Sequence, residues 1–379
     1  MVVAAACPSG IRAMGGSIGN VLSPTTKRQP TRARPGHATR PAPSAAIRHA
    51  YRAPAGASRF LPPPEPVLEL NPMRSQAARG TTPRGIQIHL ADSTWSLLPS
   101  LALPMPLVLS PATDPDTGGP LAISLAGITP DRLTGLALDT VKRLAITADE
   151  RPAELGELFS ISGDAADSML ECRGDFSRVH FVGAGMAAGT IRVMGSVGRH
   201  AAEGMTGGRL EAAGDAGDWL AAEMSGGEVM ISGSAGDNLA AALPGSDHGL
   251  RGGMVVVRGD AGCLAGQRMR RGIVAVGGSC GTAAAFEMRA GTVLVAGCVG
   301  PHPGLGMRRG SLVALTAQPA IPATFHRGRT WLPPFIGLQV AALRRAGFRP
   351  ASPIPARFRQ WHGDTVAGGR GEILAPEPF

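Results

Sequence analysis

Aromatic side chains make up only 4% of this 379-residue chain, with a single tyrosine. That scarcity excludes an ordinary globular core packed around Phe and Tyr, while 53 glycines point to an architecture in which backbones approach closely. Cysteine is scarce too. The five, Cys7, Cys172, Cys263, Cys280 and Cys298, are odd in number and form no C-x-x-C. That pattern suggests neither a disulfide framework nor a zinc site, and reduced, buried thiols in a cytoplasmic protein are expected. Long apolar runs are missing. Leu97–Leu109 is broken by Pro99, Pro104 and Pro106 and is too short to span a bilayer. No charged-then-apolar signal pattern opens the chain. Neither a metal nor a nucleophile set is spelled by motif. His180, His200, His248, His302, His326 and His362 are scattered, and no Ser, His and Asp arrangement recurs.

The formal charge of +9 is unevenly placed. Residues 1–104 hold 12 basic and three acidic side chains, leaving 25 of each sign in residues 105–379. The basic excess therefore sits in a segment that also carries 15 of the 33 prolines and no acid before Glu65. Such composition cannot bury a core and reads as a disordered basic Pro/Arg-rich extension, with Met105 as a candidate true start. A nucleic-acid partner is not expected, because the charge has no fold to present it. A membrane partner is not expected either.

What the chain has in abundance is repetition. Frames begin at Met186, Met205, Met224, Leu250, Met269, Met288 and Met307. The step is 19 residues throughout, except that Leu243–Gly249 is inserted between the third and fourth frames. Three residues into each frame stands glycine (Gly189, Gly208, Gly227, Gly253, Gly272, Gly291 and Gly310), and in the six complete frames glycine returns nine and twelve residues in. Between them lie alternating aliphatic pairs: Ile191/Val193, Leu210/Ala212, Val229/Ile231, Val255/Val257, Val274/Val276 and Val293/Val295. Period-two patterning bounded by glycine predicts short strands that bury nothing alone, but stack into a column when each pairs with the next. The predicted fold is mainly β: a right-handed parallel β-helix, a single-stranded solenoid of 19-residue coils with short flanking helices. Glycine is expected at the coil corners for its freedom to take positive φ. The frequent Gly-x-Gly spacings follow from the repeat and do not mark a nucleotide loop.

Flanking elements follow from punctuation. Residues 105–182 form a strand and helix cap, with strands at Leu121–Leu125, Leu158–Gly163 and Arg178–Val182. A helix starts at Thr129-Pro130 and runs to about Arg143. Residues 183–316 form the solenoid. Residues 317–379 form a helix and tail; Pro333-Pro334 opens that helix and Arg344, Arg345, Gly347 and Pro350 close it. It is expected to cap the solenoid's open end.

One constellation carries candidate chemistry. Arg251, Arg270, Arg289 and Arg308 stand one residue into the last four frames, with Arg271 and Arg309 beside two of them. A column of like charges at strand spacing is unfavourable unless an anion meets it. The bland alternative is that each splays into water or pairs with Glu203, Glu223 or Glu287. Asp215, Asp218, Asp237 and Asp260 lie in glycine turns and read as turn chemistry.

The coils resemble the glycine-rich domain shared by glutamate synthase large subunits and the C subunit of formylmethanofuran dehydrogenases. The tail is similar to that C subunit, particularly its bacterial form in formyltransferase/hydrolase complexes. The similar stretches are Phe325-His326, Arg329-Thr330-Trp331-Leu332-Pro333-Pro334-Phe335, Leu343-Arg344-Arg345-Ala346-Gly347-Phe348, Gly363-Asp364 and Gly369-Arg370-Gly371-Glu372-Ile373-Leu374. The resemblance implies a non-catalytic docking subunit in tetrahydromethanopterin- and methanofuran-linked formaldehyde oxidation to formate. It implies amidohydrolase-like and formyltransferase partners holding the active sites. No cofactor would bind this chain directly, and the molybdenum or tungsten pterin of archaeal relatives would sit on another subunit. Carriers of the methanofuran type bear glutamyl units, so the arginine column would meet either such an anionic tail or an acidic partner face. The alternative is an accessory β-helix domain of a glutamate synthase-type amidotransferase.

Overall fold

The computed structural model describes residues 105–112, 119–350 and 353–377. The expected basic extension, residues 1–104, lies outside the described residues.

Each frame contributes one short strand at its aliphatic pair. These are β8 (Thr190–Val193), β9 (Arg209–Ala212), β10 (Glu228–Ile231), β11 (Met254–Val257), β12 (Ile273–Val276), β13 (Thr292–Val295) and β14 (Arg309–Ala314). Before them come β1 (Leu107–Pro111), β2 (Ile123–Ser124), β3 (Ala145–Ala148), β4 (Arg151–Glu154), β5 (Phe159–Ser162), β6 (Met169–Cys172) and β7 (Val179–His180). After them come β15 (His326–Trp331), β16 (Phe358–Gly363) and β17 (Arg370–Pro376). The helices are α1 (Pro130–Leu133), α2 (Leu138–Lys142), α3 (Leu155–Leu158) and α4 (Pro334–Arg345).

Thirteen strands form one sheet in the order β15-β16-β17-β14-β13-β12-β11-β10-β9-β8-β6-β1-β5, and β4-β3-β2-β7 form a second. In this sheet β6 pairs with β8, and β8 to β14 pair each with the next, all in parallel with equivalent residues opposite, so Ile191, Leu210, Val229, Val255, Val274, Val293 and Leu312 form one row. The insertion does not disturb this register: Val229 still faces Val255. A second row of single parallel bridges joins Phe176, Val197, Ala216, Ala235, Ala261, Cys280 and Val299, eleven residues into each full frame. All six aliphatic pairs are buried, as are the residues that open the seven frames. Together they make one continuous core.

Several expectations need correction. The large sheet is mixed, not uniformly parallel: β1 meets β5 antiparallel, and β15, β16 and β17 pair antiparallel, with β17 returning parallel to β14. The helix expected from Thr129 to Arg143 breaks in two, because Gly135 takes φ +81° between α1 and α2. The strands at 121–125 and 178–182 shrink to two residues each. Helix α4 does not cap an open end. Its Ile336, Val340 and Leu343 pack on the outer face of the sheet, against Val256, Ala275, Leu294, Val313 and Leu374. The outward strand position explains the placement. It reads Arg192, Glu211 and Met230 early, then Val256, Ala275, Leu294 and Val313, and an apolar outer face needs a cover.

The glycines divide by physical cause. Those three residues into each frame take positive φ, between +80° and +102°. Those nine and twelve residues in do not. There a Cβ would strike the preceding frame, at 2.1 Å from Asp215 Oδ1 for Gly233 and 2.4 Å from Ser234 Oγ for Gly259. Close approach, not left-handed backbone, requires glycine at those positions.

Candidate functional site

Turn polar groups are spent on joining successive frames. Ten residues into successive frames, Ser196 Oγ accepts from Asp215 N, Asp215 Oδ1 from Ser234 N, Ser234 Oγ from Asp260 N, Asp260 Oδ1 from Ser279 N, and Ser279 Oγ from Cys298 N. A parallel ladder runs thirteen residues in, where Asp218 Oδ1 accepts from Asp237 N at 2.9 Å and Asp237 Oδ1 from Cys263 N at 2.6 Å. These aspartates join one frame to the next, where ordinary turn chemistry was expected. Their glycine neighbours are what leave room for the carboxylates.

His200 stacks between Phe181 and Trp219, with ring centroids 4.8 Å and 6.1 Å away, and bonds Glu203 through Nδ1. His180 Nδ1 accepts from Arg199 N at 3.0 Å. Burial, then the nearby Arg199 and His200, hold its pKa below the usual imidazole value. Cys172, Cys263 and Cys280 are free. Burial pushes the Cys172 and Cys280 thiols up to about 12, which makes them inert packing groups. Among the described residues no three His, Cys, Asp or Glu side chains gather as a metal set. None of their helices is long and apolar enough to cross a membrane.

The arginine column forms. The backbone N–H of Arg251, Arg270, Arg289 and Arg308 donates to Met224, Leu250, Met269 and Met288 respectively, each the opening residue of the preceding frame. The four therefore stand on one edge, frame beside frame. Arg251, Arg270 and Arg308 are exposed, as are Arg271 and Arg309 beside them. Glu203 and Glu287, offered as partners for the column, are engaged elsewhere, by His200 and Arg268. Glu223 accepts from Leu243 N. Only Arg289 of the column has an ion pair among the described residues, with Asp247 of the inserted loop at 3.6 Å.

The structure adds a residue that the repeat does not reveal. Pairing of β17 with β14 sets Arg370 opposite Arg309, so one more guanidinium extends the edge beyond the last frame. Its signal was local: Arg370-Gly371-Glu372-Ile373-Leu374 matches Arg309-Gly310-Ser311-Leu312-Val313 in pattern, out of the 19-residue phase. Fixed guanidinium forks at regular spacing suit carboxylates or phosphates.

No protein-family model matches the chain. It is 40% identical over 80 residues to the C subunit of the formyltransferase/hydrolase complex Fhc of Methylorubrum extorquens, which is 21% of this chain and 30% of that protein. It is 33% identical over 77 residues to the C subunit of the molybdenum-containing formylmethanofuran dehydrogenase 1 of Methanosarcina barkeri, 19% of this chain and 26% of that one. These alignments span under a third of either relative's length. The fold comparison reaches further. A chain of the crystal structure of the formyltransferase/hydrolase complex FhcABCD from Methylorubrum extorquens, in complex with methylofuran, superposes with a TM-score of 0.65 at 36% identity. The match covers 72% of this chain and 100% of that one.

Proposed function

The chain belongs to the family formed by the C subunits of formyltransferase/hydrolase complexes and formylmethanofuran dehydrogenases, and from that premise we propose that it is a non-catalytic docking subunit of such a complex. The observation that carries this reading is the superposition over the whole of a chain from the FhcABCD complex. The reading places the protein in tetrahydromethanopterin- and methanofuran-linked formaldehyde oxidation to formate, in the cytoplasm. Amidohydrolase-like and formyltransferase subunits would be its partners and would carry the chemistry on a methanofuran-type carrier. Commitment of the turn aspartates to neighbouring coils favours a structural part.

Residues 183–316 are read as a right-handed parallel β-helix with one coil per frame, residues 105–182 as its lead-in and 317–379 as its covering tail. Support comes from the two parallel rows that recur once per frame. Arg251, Arg270, Arg289 and Arg308 are assigned to an anionic contact, with an acidic partner or with the carrier's tail.

Affinity purification through a tag on this chain, from its native host, tests the reading. Amidohydrolase-like and formyltransferase subunits should elute with it, and formyl transfer and hydrolysis should belong to that assembly. Activity of the purified chain alone, or co-elution with iron–sulfur or flavin subunits instead, would overturn it.

A further inference from the structure

The spacing of the arginine column selects the form of the anion that meets it. We infer that the column docks an acidic α-helix of a partner subunit, laid along the axis on which the coils stack; this rests on the docking-subunit reading above. Equivalent residues of hydrogen-bonded neighbouring strands recur every ~4.8 Å, which sets the step from Arg251 to Arg270, Arg289 and Arg308. Acidic residues on one face of a helix, alternately three and four apart, advance on average about 5.3 Å. After three steps the two rows differ by about 1 Å, well within the reach of an arginine side chain. An extended anionic peptide repeats the same face every ~6.8 Å and is out by about 6 Å after three steps, more than a whole coil.

Charge and occupancy agree with that occupant. Arg251, Arg270 and Arg308 are exposed and have no ion pair among the described residues. Exposed Arg271, Arg309 and Arg370 add to the positive field at the same edge. Among the described residues, the one carboxylate that reaches the column, Asp247, does so from a side chain itself 80% exposed and meets Arg289 at 3.6 Å. The edge thus accepts a carboxylate from outside the coils at one rung and offers the same fork at the others. Stacked like charges are costly in isolation and favourable against a row of acids.

The test uses the full chain and its native complex. An R270E/R308E variant changes two exposed side chains, and its thermal melt should match the wild type. Co-purification at moderate salt should then lose a subunit that wild type retains. Two fluorescent peptides of about 20 residues and equal charge identify the occupant: an alanine-rich helix with glutamates on one face, and a glycine-interrupted glutamate chain that cannot form a helix. The helical peptide should bind the full chain at least about tenfold tighter than the flexible one, and R270E/R308E should abolish the difference. Equal or tighter binding of the flexible peptide overturns the helix and assigns the column to a flexible anionic tail. Unchanged peptide binding and assembly in the variant remove the column as a docking site. If instead wild type brings down no partner while the helical peptide binds the column, the docking-subunit reading fails and the helix-binding edge stands.

Discussion

At the scale of single residues, the coil-to-coil ladder makes a sharp statement about Asp215. Its Oδ1 accepts from Ser234 N at 2.7 Å, and Gly233 is what leaves it room. Asp215→Ala removes the acceptor and should cost ~0.5–1.5 kcal/mol, moderated by water at this exposed turn, while Asp215→Asn keeps an acceptor and should cost less. Denaturant titration decides it: identical midpoints for the alanine variant and wild type would mean that water replaces the carboxylate fully. His180 gives a pH prediction. Its Nδ1 is an acceptor and must be unprotonated, and its pKa in the folded chain is lowered by burial, Arg199 and His200. Above about pH 6.5 both folded and unfolded forms hold it neutral. As pH falls below that, the unfolded chain takes up the proton first, so stability declines toward and through the lowered folded value. His180→Asn retains an acceptor without titrating, so its melting temperature should vary less between about pH 7 and 5 than that of wild type. The same steepness in both would remove His180 as the cause. The glycine positions were legible from sequence but half their reason was not. Positive φ and a coil 2–3 Å from a missing Cβ leave the same letter in the chain.

Elements were legible where local chemistry decides and less so where a distant surface does. The ends of α4, Pro334 and Arg345, follow from Pro333-Pro334 and Gly347. Its Ile336, Val340 and Leu343 declare an apolar face. That face fits either a solenoid end or a sheet face, and only the switch from Arg192 and Glu211 to Val256, Ala275, Leu294 and Val313 names the latter. Leu343 is fully buried in that contact. Leu343→Ala should therefore cost about 2–5 kcal/mol. Gly337 lies inside the same helix with nothing within 4 Å of a built Cβ. Gly337→Ala should stabilise by about 0.5–1 kcal/mol, since alanine restricts the unfolded chain and favours helix. Paired thermal melts check both, and a neutral Leu343→Ala would mean the helix is not held by this face.

Across the whole molecule, period and register were readable because every frame repeats one energetic solution. The closing strand was not, since Arg370 and β17 stand outside the 19-residue phase and are recruited by pairing with β14. The insertion after the third frame tests how far each coil depends only on its neighbours. Strands β10 and β11 keep full register across it, with Glu228, Val229, Met230 and Ile231 opposite Met254, Val255, Val256 and Val257. The inserted loop is tied by Arg268 Nη1 donating to Ser246 O and by Asp247 near Arg289. Deleting residues 242–248 restores the 19-residue step. It leaves Gly249 before Leu250, in the place held by Gly185, Gly204 and Gly306 in other frames, all with positive φ. If each frame depends mainly on its neighbours, as the proposed β-helix implies, this deletion removes few contacts and shortens a loop. The variant should fold and melt within about 4 °C of wild type, a shift of at most about 1 kcal/mol. Its Arg289 should become as accessible as Arg270, so a helical acidic peptide should bind it as well as or better than wild type. Collapse of the fold on deletion would show that the loop completes the third frame instead of decorating it.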